Sequence, residues 1–219
     1  MAVPGTQPLV SRQLEIDLVA AELARDGSGG VALRGPAGVG KSRLAQECAD
    51  RAATEGCSVV VVRATESARN VPFGAMAALL PALGNEANPL AAATEPLLAH
   101  RRPGTRLIAV VDDAQWLDDT SAALVHHLVA RHEVFALLTL RSGERTSDAV
   151  RALWRDPAIR QVNVGPMADD DIVLLAEALT GGRLDANLGA EIAALAAGNP
   201  LAAVELVHGG REEGLLAEQ

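Results

Sequence analysis

The chain has 219 residues, a formal net charge of −9, 49% hydrophobic residues and only 2% aromatic ones. That length accommodates one large domain, or one domain with a small appendage, around a core of Ala, Leu and Val. The acidic balance, with no Lys/Arg run longer than Arg101-Arg102, argues against a free-standing grip on nucleic acid, which usually needs a basic face.

The abundant alanine and arginine point to a GC-rich genome, a statement about codons. The N-terminal "MAVPGTQPLV" lacks the charged segment and apolar run of a signal peptide, and no stretch approaches the ~20 apolar residues of a membrane span. Cys48 and Cys57 form no CxxC pair and read as reduced, buried residues of a cytoplasmic protein.

In chain order, "LVSRQLEIDLVAAELARDG" (9–27) predicts an amphipathic helix with Leu14, Leu18, Val19 and Ala21 inward, stopped by Gly27. "VALRG" (31–35) predicts a strand and "KSRLAQECADRAATEG" (41–56) a helix. "CSVVVVRAT" (57–65) is an unbroken β-branched run, as in a strand buried on both faces. "VPFGAMAALLPALG" and "PLAAATEPLLAHRR" read as helical, interrupted by proline. Strands follow at 106–113, 134–141 and 159–165, separated by helices at 121–132 and 149–156. Alternating helices and apolar strands predict an α/β fold, a parallel sheet covered on both faces. After Pro166 the pattern is helical only, with Asp169, Asp170 and Asp171 capping and complementing the first helix start. The expected organisation is a lead-in and helix over 1–30, an α/β domain over 31–165 and a helical lid over 166–219.

"GPAGVGKS" fits G-x-x-x-x-G-K-[ST] from Gly35 to Ser42, between a predicted strand and a predicted helix. Its glycines permit positive φ and close backbone approach to phosphate. The residues expected at the nucleotide are Gly35, Gly38, Val39, Gly40, Lys41, Ser42 and Arg43. Lys41 is the sole lysine among 19 basic residues. A compact ammonium enters a closed phosphate cradle where a planar guanidinium does not, so the exception falls where the chemistry requires it. Ser42 offers its hydroxyl to Mg2+.

A phosphate loop also needs a carboxylate at the end of a neighbouring strand. "LIAVVDDAQWLDD" supplies Asp112 for the Mg2+ shell and Asp113 to polarise the attacking water, or to cap the following turn. Asp118 and Asp119 read as helix-start residues, Trp116 as packing, and His126 and His127 as structural. "TLR" ends the next strand, placing Arg141 to sense a terminal phosphate across the crevice of adjacent strand ends.

Together, "LVSRQ", "GPAGVGKSRL", "VPFGAM", "LIAVVDDAQWLDDTS", "LLTLRSGE" and "AAGNPLAAVEL" resemble the nucleotide-binding domain of STAND signal-transduction ATPases. The group most similar is that at the front of large ATP-binding, MalT-like LuxR-type regulators. The resemblance implies a P-loop NTPase fold of ASCE/AAA+ type with a small, incomplete helical lid. It also implies ATP/ADP with Mg2+ as ligands, slow hydrolysis to ADP and phosphate, and nucleotide-dependent self-association. By the same resemblance Arg12 serves the base and ribose side, although Ser11 and Gln13 depart from the family's Gly-Arg-Glu pattern. Arg141 is the sensor arginine, and Pro200 of "GNP" lies against adenine. DNA binding would belong to a C-terminal helix-turn-helix outside this sequence, which ends at "REEGLLAEQ" and is expected to be an excised fragment or truncated product. The alternatives are an AAA+ ATPase of the origin or repair type, a nucleotide-binding module without turnover, and a P-loop kinase. The first calls for a second sensor arginine in the lid, where only Arg183 and Arg211 are on offer; the kinase calls for an Arg-rich lid.

Overall fold

The computed structural model describes residues 8–80 and 88–213. The lead-in over 1–7, the "PALG" stretch over 81–84 and the last six residues lie outside that description. Among the described residues, eight α-helices and five strands run in the order α1 (Gln13–Ala24), β1 (Gly30–Gly35), α2 (Lys41–Thr54), β2 (Ser58–Arg63), α3 (Pro89–Leu98), β3 (Leu107–Asp112), α4 (Asp119–Ala130), β4 (Phe135–Arg141), α5 (Asp148–Trp154), β5 (Ile159–Asn163), α6 (Asp169–Thr180), α7 (Ala186–Ala196) and α8 (Pro200–Glu212).

The strands form one parallel sheet in the order β2-β3-β4-β1-β5. Successive side chains of a strand point to opposite faces, and the two faces build two cores. Ala109 and Val111 of β3 and Leu138 of β4 pack against α3, α4 and α5. Val31 and Leu33 of β1 and Leu137 of β4 pack against α1 and α2. The result is the three-layer α/β fold of a P-loop NTPase. A third apolar cluster, centred on Ile172, Ile192 and Ala203, unites α6, α7 and α8.

Several local expectations change. Strand β2 is an edge strand paired only with β3, so its buried residues alternate and Val61 is 41% exposed. Four consecutive valines suit an edge as well as a centre, because β-branching favours the extended backbone in either place. In α1 the buried face is Ile16, Val19 and Glu22, while Leu14 points outward at 84% exposure. Glu22 tolerates burial because Arg25, Arg160 and Ser28 bond its carboxylate; burial raises its pKa, but these partners outweigh it and hold the group below its ordinary value. Of "VPFGAMAALL" only a 3-10 turn forms, Gly74–Met76, entered through a left-handed Phe73. Pro96 is accommodated inside α3. The cap of α6 is Ala168, which makes no side-chain bond, so Asp169, Asp170 and Asp171 occupy the first turn without capping it. There they complement the helix dipole, and Asp171 also accepts a hydrogen bond from Ser11. Cys48 is buried, whereas Cys57 is only half-buried.

Candidate functional site

Strand β1 delivers the chain into the loop at Gly35, and α2 leaves it at Lys41. Gly38 and Gly40 hold φ of +78° and +91°, a region that a side chain disfavours. A Cβ on Gly38 would also lie 2.4 Å from Asn199 Oδ1. Lys41 is 6% exposed. Its ammonium donates to the carbonyls of Gly35 at 3.1 Å and Pro36 at 2.7 Å. Burial lowers its pKa from the ordinary value; Asp113 and Asp112 work against that shift and Arg141 works with it.

The acidic strand end is not on the neighbouring strand that the sequence suggested. Strand β4 lies between β1 and β3, and it spans the gap with its own side chain. Thr139, fully buried on β4, donates to Asp112 Oδ1 at 2.6 Å and accepts the Asp113 amide at 2.9 Å. From the other side Ser42 Oγ donates to Asp112 Oδ1 at 2.7 Å. The two residues expected at magnesium are thus in direct contact.

Asp113 adopts a left-handed backbone, φ +53°, at the head of the 3-10 turn Ala114–Trp116, and its carboxylate makes no cap bond there. The carboxylate faces Arg141 instead, at 3.2 Å from Nε to Oδ1 and 3.3 Å from Nη2 to Oδ2. Gln115, 2% exposed, donates to Asp113 Oδ1 and accepts the Arg141 amide. It therefore fastens the ends of β3 and β4 together.

Arg12 lines the same cleft, but its guanidinium is turned to main chain. Nη2 donates to Gly165 O at 2.6 Å and Val39 O at 3.3 Å, and Nη1 pairs with Glu15 at 3.0 Å. Arg12 braces the loop against the segment entering α6 while remaining part of the cleft wall, where the base-and-ribose role was expected. Arg43 pairs with Glu47 one turn along α2. Pro200 opens α8 above Gly40, with Cγ 3.9 Å from where a Gly40 Cβ would stand. Between loop and helices lies a cleft of about 420 Å³, with Lys41, Ser42, Asp113 and Arg141 at its polar end and Val10, Met167, Pro200 and Val204 among its apolar walls.

Sequence reasoning missed Thr139, Gln115 and Asn199. Thr139 is the one polar residue before Arg141 in "VFALLTLR", and that was a usable signal. Asp118 is the N-cap of α4, as its position suggested, bonded by the Ser121 amide. It also anchors the preceding loop through the Phe73 and Ala75 amides. Trp116 packs against the core that Ala109, Val111 and Leu138 build with α3, α4 and α5, and His126 bonds Asp156.

Fold and loop define a P-loop NTPase. Within that class, the model of the AAA ATPase domain family matches residues 8–85. Among solved structures, the chain is similar to the Aeropyrum pernix ORC1 protein in complex with DNA, with TM-score 0.67 and 20% identity over 99% of this chain and 64% of that one. It is also similar to AMPPCP-bound DnaA from Aquifex aeolicus (TM-score 0.64, 17% identity, 97% and 68% covered). A Thermotoga maritima RuvB variant gives TM-score 0.62 at 18% identity, 96% and 65% covered. The chain thus spans less than two thirds of the ORC1 and RuvB chains. Among curated proteins no match is found. At these identities the structures show a shared fold, and with the family match they support an AAA+-type ATPase domain. Among the described residues no helix is long and apolar enough to cross a membrane.

Proposed function

We propose that the chain is an ATP/ADP-binding switch domain of a signal-transduction ATPase, Mg2+-dependent and slow in hydrolysis, from a LuxR-type transcriptional regulator. The observation that carries this reading is the convergence of Lys41, Ser42, Asp112, Asp113 and Arg141 beneath the start of α8. Residues 31–165 would form the nucleotide-binding domain and 166–219 its lid.

The donor set suits the ligands. Loop amides and the N-terminus of α2 present partial positive charge to phosphate. Lys41 adds a full charge in a part-desolvated place. Among the described residues no cluster of three or more His, Cys, Asp or Glu could hold a metal. Ser42 and Asp112 nevertheless suffice for magnesium, which keeps waters and phosphate oxygens as its other ligands. When bound, the nucleotide supplies the phosphoanhydride whose hydrolysis resets the switch. Asp113 would hold the proton-accepting carboxylate, and Arg141 would stand ready for the terminal phosphate. Val10, Met167 and Pro200 would exclude water from the base.

A second reading, an AAA+ ATPase of the origin or repair type, draws support from the family match and from the ORC1 and DnaA likeness. Against it, the arginines of the cleft are Arg12, Arg43 and Arg141, none from α6 to α8 among the described residues. Arg211 lies eleven residues beyond Pro200, roughly 16 Å along the helix axis, and bonds Thr180 O. Calorimetric titration with ATP and ADP in Mg2+, beside a turnover assay, tests the site; absence of binding by either nucleotide refutes it. Duplex-DNA binding by this chain, measured at defined salt, would favour the second reading.

A further inference from the structure

The helical bundle touches the phosphate loop through one side chain that has no assigned role. Asn199 is the N-cap of α8, and its Oδ1 accepts the amides of Leu201 at 3.0 Å and Ala202 at 3.4 Å. With the oxygen fixed there, its Nδ2 faces the loop and donates to Ala37 O at 3.3 Å. The Leu201 amide is shared with Gly38 O, also at 3.3 Å. Two successive loop carbonyls, Ala37 and Gly38, are therefore turned to the head of α8. The amide of Asn199 also lies against the Gly38 α-carbon, where even a methyl group would collide with it.

Peptide geometry gives this contact a consequence. No described peptide bond is cis. In a trans peptide the carbonyl and the following N–H point in opposite directions. Fixing Ala37 C=O and Gly38 C=O on α8 therefore turns the N–H groups of Gly38 and Val39 the other way. Consecutive N–H groups held on one side of a loop are what an anion nest requires. Glycine at 38, with its wide conformational freedom, would otherwise let those peptides rotate.

We infer that Asn199 is a positioning residue for phosphate: it preorganises the loop amides from the bundle side, so that bundle docking and polyphosphate affinity are one equilibrium. This rests on the proposed nucleotide site and adds a coupling element to it. The coupling is reciprocal: a polyphosphate that needs those amides inward favours the docked bundle.

The test uses Asn199→Ser, which keeps a capping oxygen but lacks the amide donor, and Asn199→Asp, which caps and sets a carboxylate against Ala37 O. ADP-Mg2+ is titrated calorimetrically, and inorganic tripolyphosphate competes against a fluorescent ADP analogue. Asn199→Ser is expected to weaken both ligands by about tenfold, the size of one lost hydrogen bond, and Asn199→Asp by more. The melting midpoint should stay within ~2 °C because the cap survives. Affinities of Asn199→Ser within about twofold of the unmodified chain overturn the inference while leaving the nucleotide site standing. Weaker binding accompanied by a lowered midpoint in both variants also overturns it, as a folding defect. An unmodified chain that binds neither ADP nor tripolyphosphate overturns site and inference together.

Discussion

Arg141 lies across the carboxylate of Asp113, with Nε 3.2 Å from Oδ1 and Nη2 3.3 Å from Oδ2. The side chains are 40% and 32% exposed, so water screens the pair and its worth to folding is at most about 1 kcal/mol. Its significance is chemical. The residues proposed for water activation and phosphate sensing hold one another.

Asp113→Asn is therefore expected to abolish turnover by a factor of about 10² or more while nucleotide binding and melting midpoint change little. Turnover that survives unchanged removes Asp113 from the chemistry. Arg141→Ala should likewise spare stability and lower turnover, and a fall in affinity confined to ATP over ADP would assign it to the terminal phosphate.

Lys41→Arg is expected to weaken ADP binding by about 10²-fold or more, since a planar fork does not fit between the Gly35 and Pro36 carbonyls. Equal affinity by calorimetry would refute the steric account. The lowered pKa of Lys41 adds a pH signature. The free protein gives up this proton below the ordinary pKa, and a bound polyphosphate draws it back. ADP affinity should thus fall as pH rises through the lowered value toward 10.5, and Lys41→Met should remove that slope.

Thr139→Val keeps shape but leaves the Asp113 amide without its acceptor and Asp112 without one donor. A cost of about 1–3 kcal/mol in denaturant unfolding is expected, with a loss of turnover as Asp113 shifts. Thr139→Ser should restore both. Full activity in the valine variant would mean that β4 carries no polar function between the two acids.

Asp118 is 3% exposed. Burial raises its pKa, but bonds from Thr120, Ser121 and Ala75 outweigh that and leave it below the ordinary 3.8. A carboxyl lowered on folding contributes stability that is full above 3.8 and is lost as pH falls through the folded value. Asp118→Ala should cost about 2–4 kcal/mol near neutral pH, with the gap to the unmodified chain narrowing as pH falls below 3.8. A gap constant with pH would show that packing, and not the charge, is what Asp118 supplies.

The sequence by itself determined the kind of fold and carried the proposed ligand chemistry. Glycine spacing, one lysine among arginines, and an apolar run ending in two aspartates carry that information locally, since each depends on neighbours a few residues away. The helix start at Asp118 was legible for the same reason. Tertiary structure decided which strands are neighbours, because hydrogen-bonded backbones pair without regard to side-chain pattern, and a valine run serves an edge as well as a centre. It therefore decided that β4 stands between the loop and the acids, which makes Thr139 a link. It set the Arg12 guanidinium on the carbonyls of Val39 and Gly165. It also set Asn199 against Gly38, two residues 161 positions apart in sequence (199 less 38). No spacing rule reaches that far; only the docking of one packed cluster on another brings such groups within a hydrogen bond.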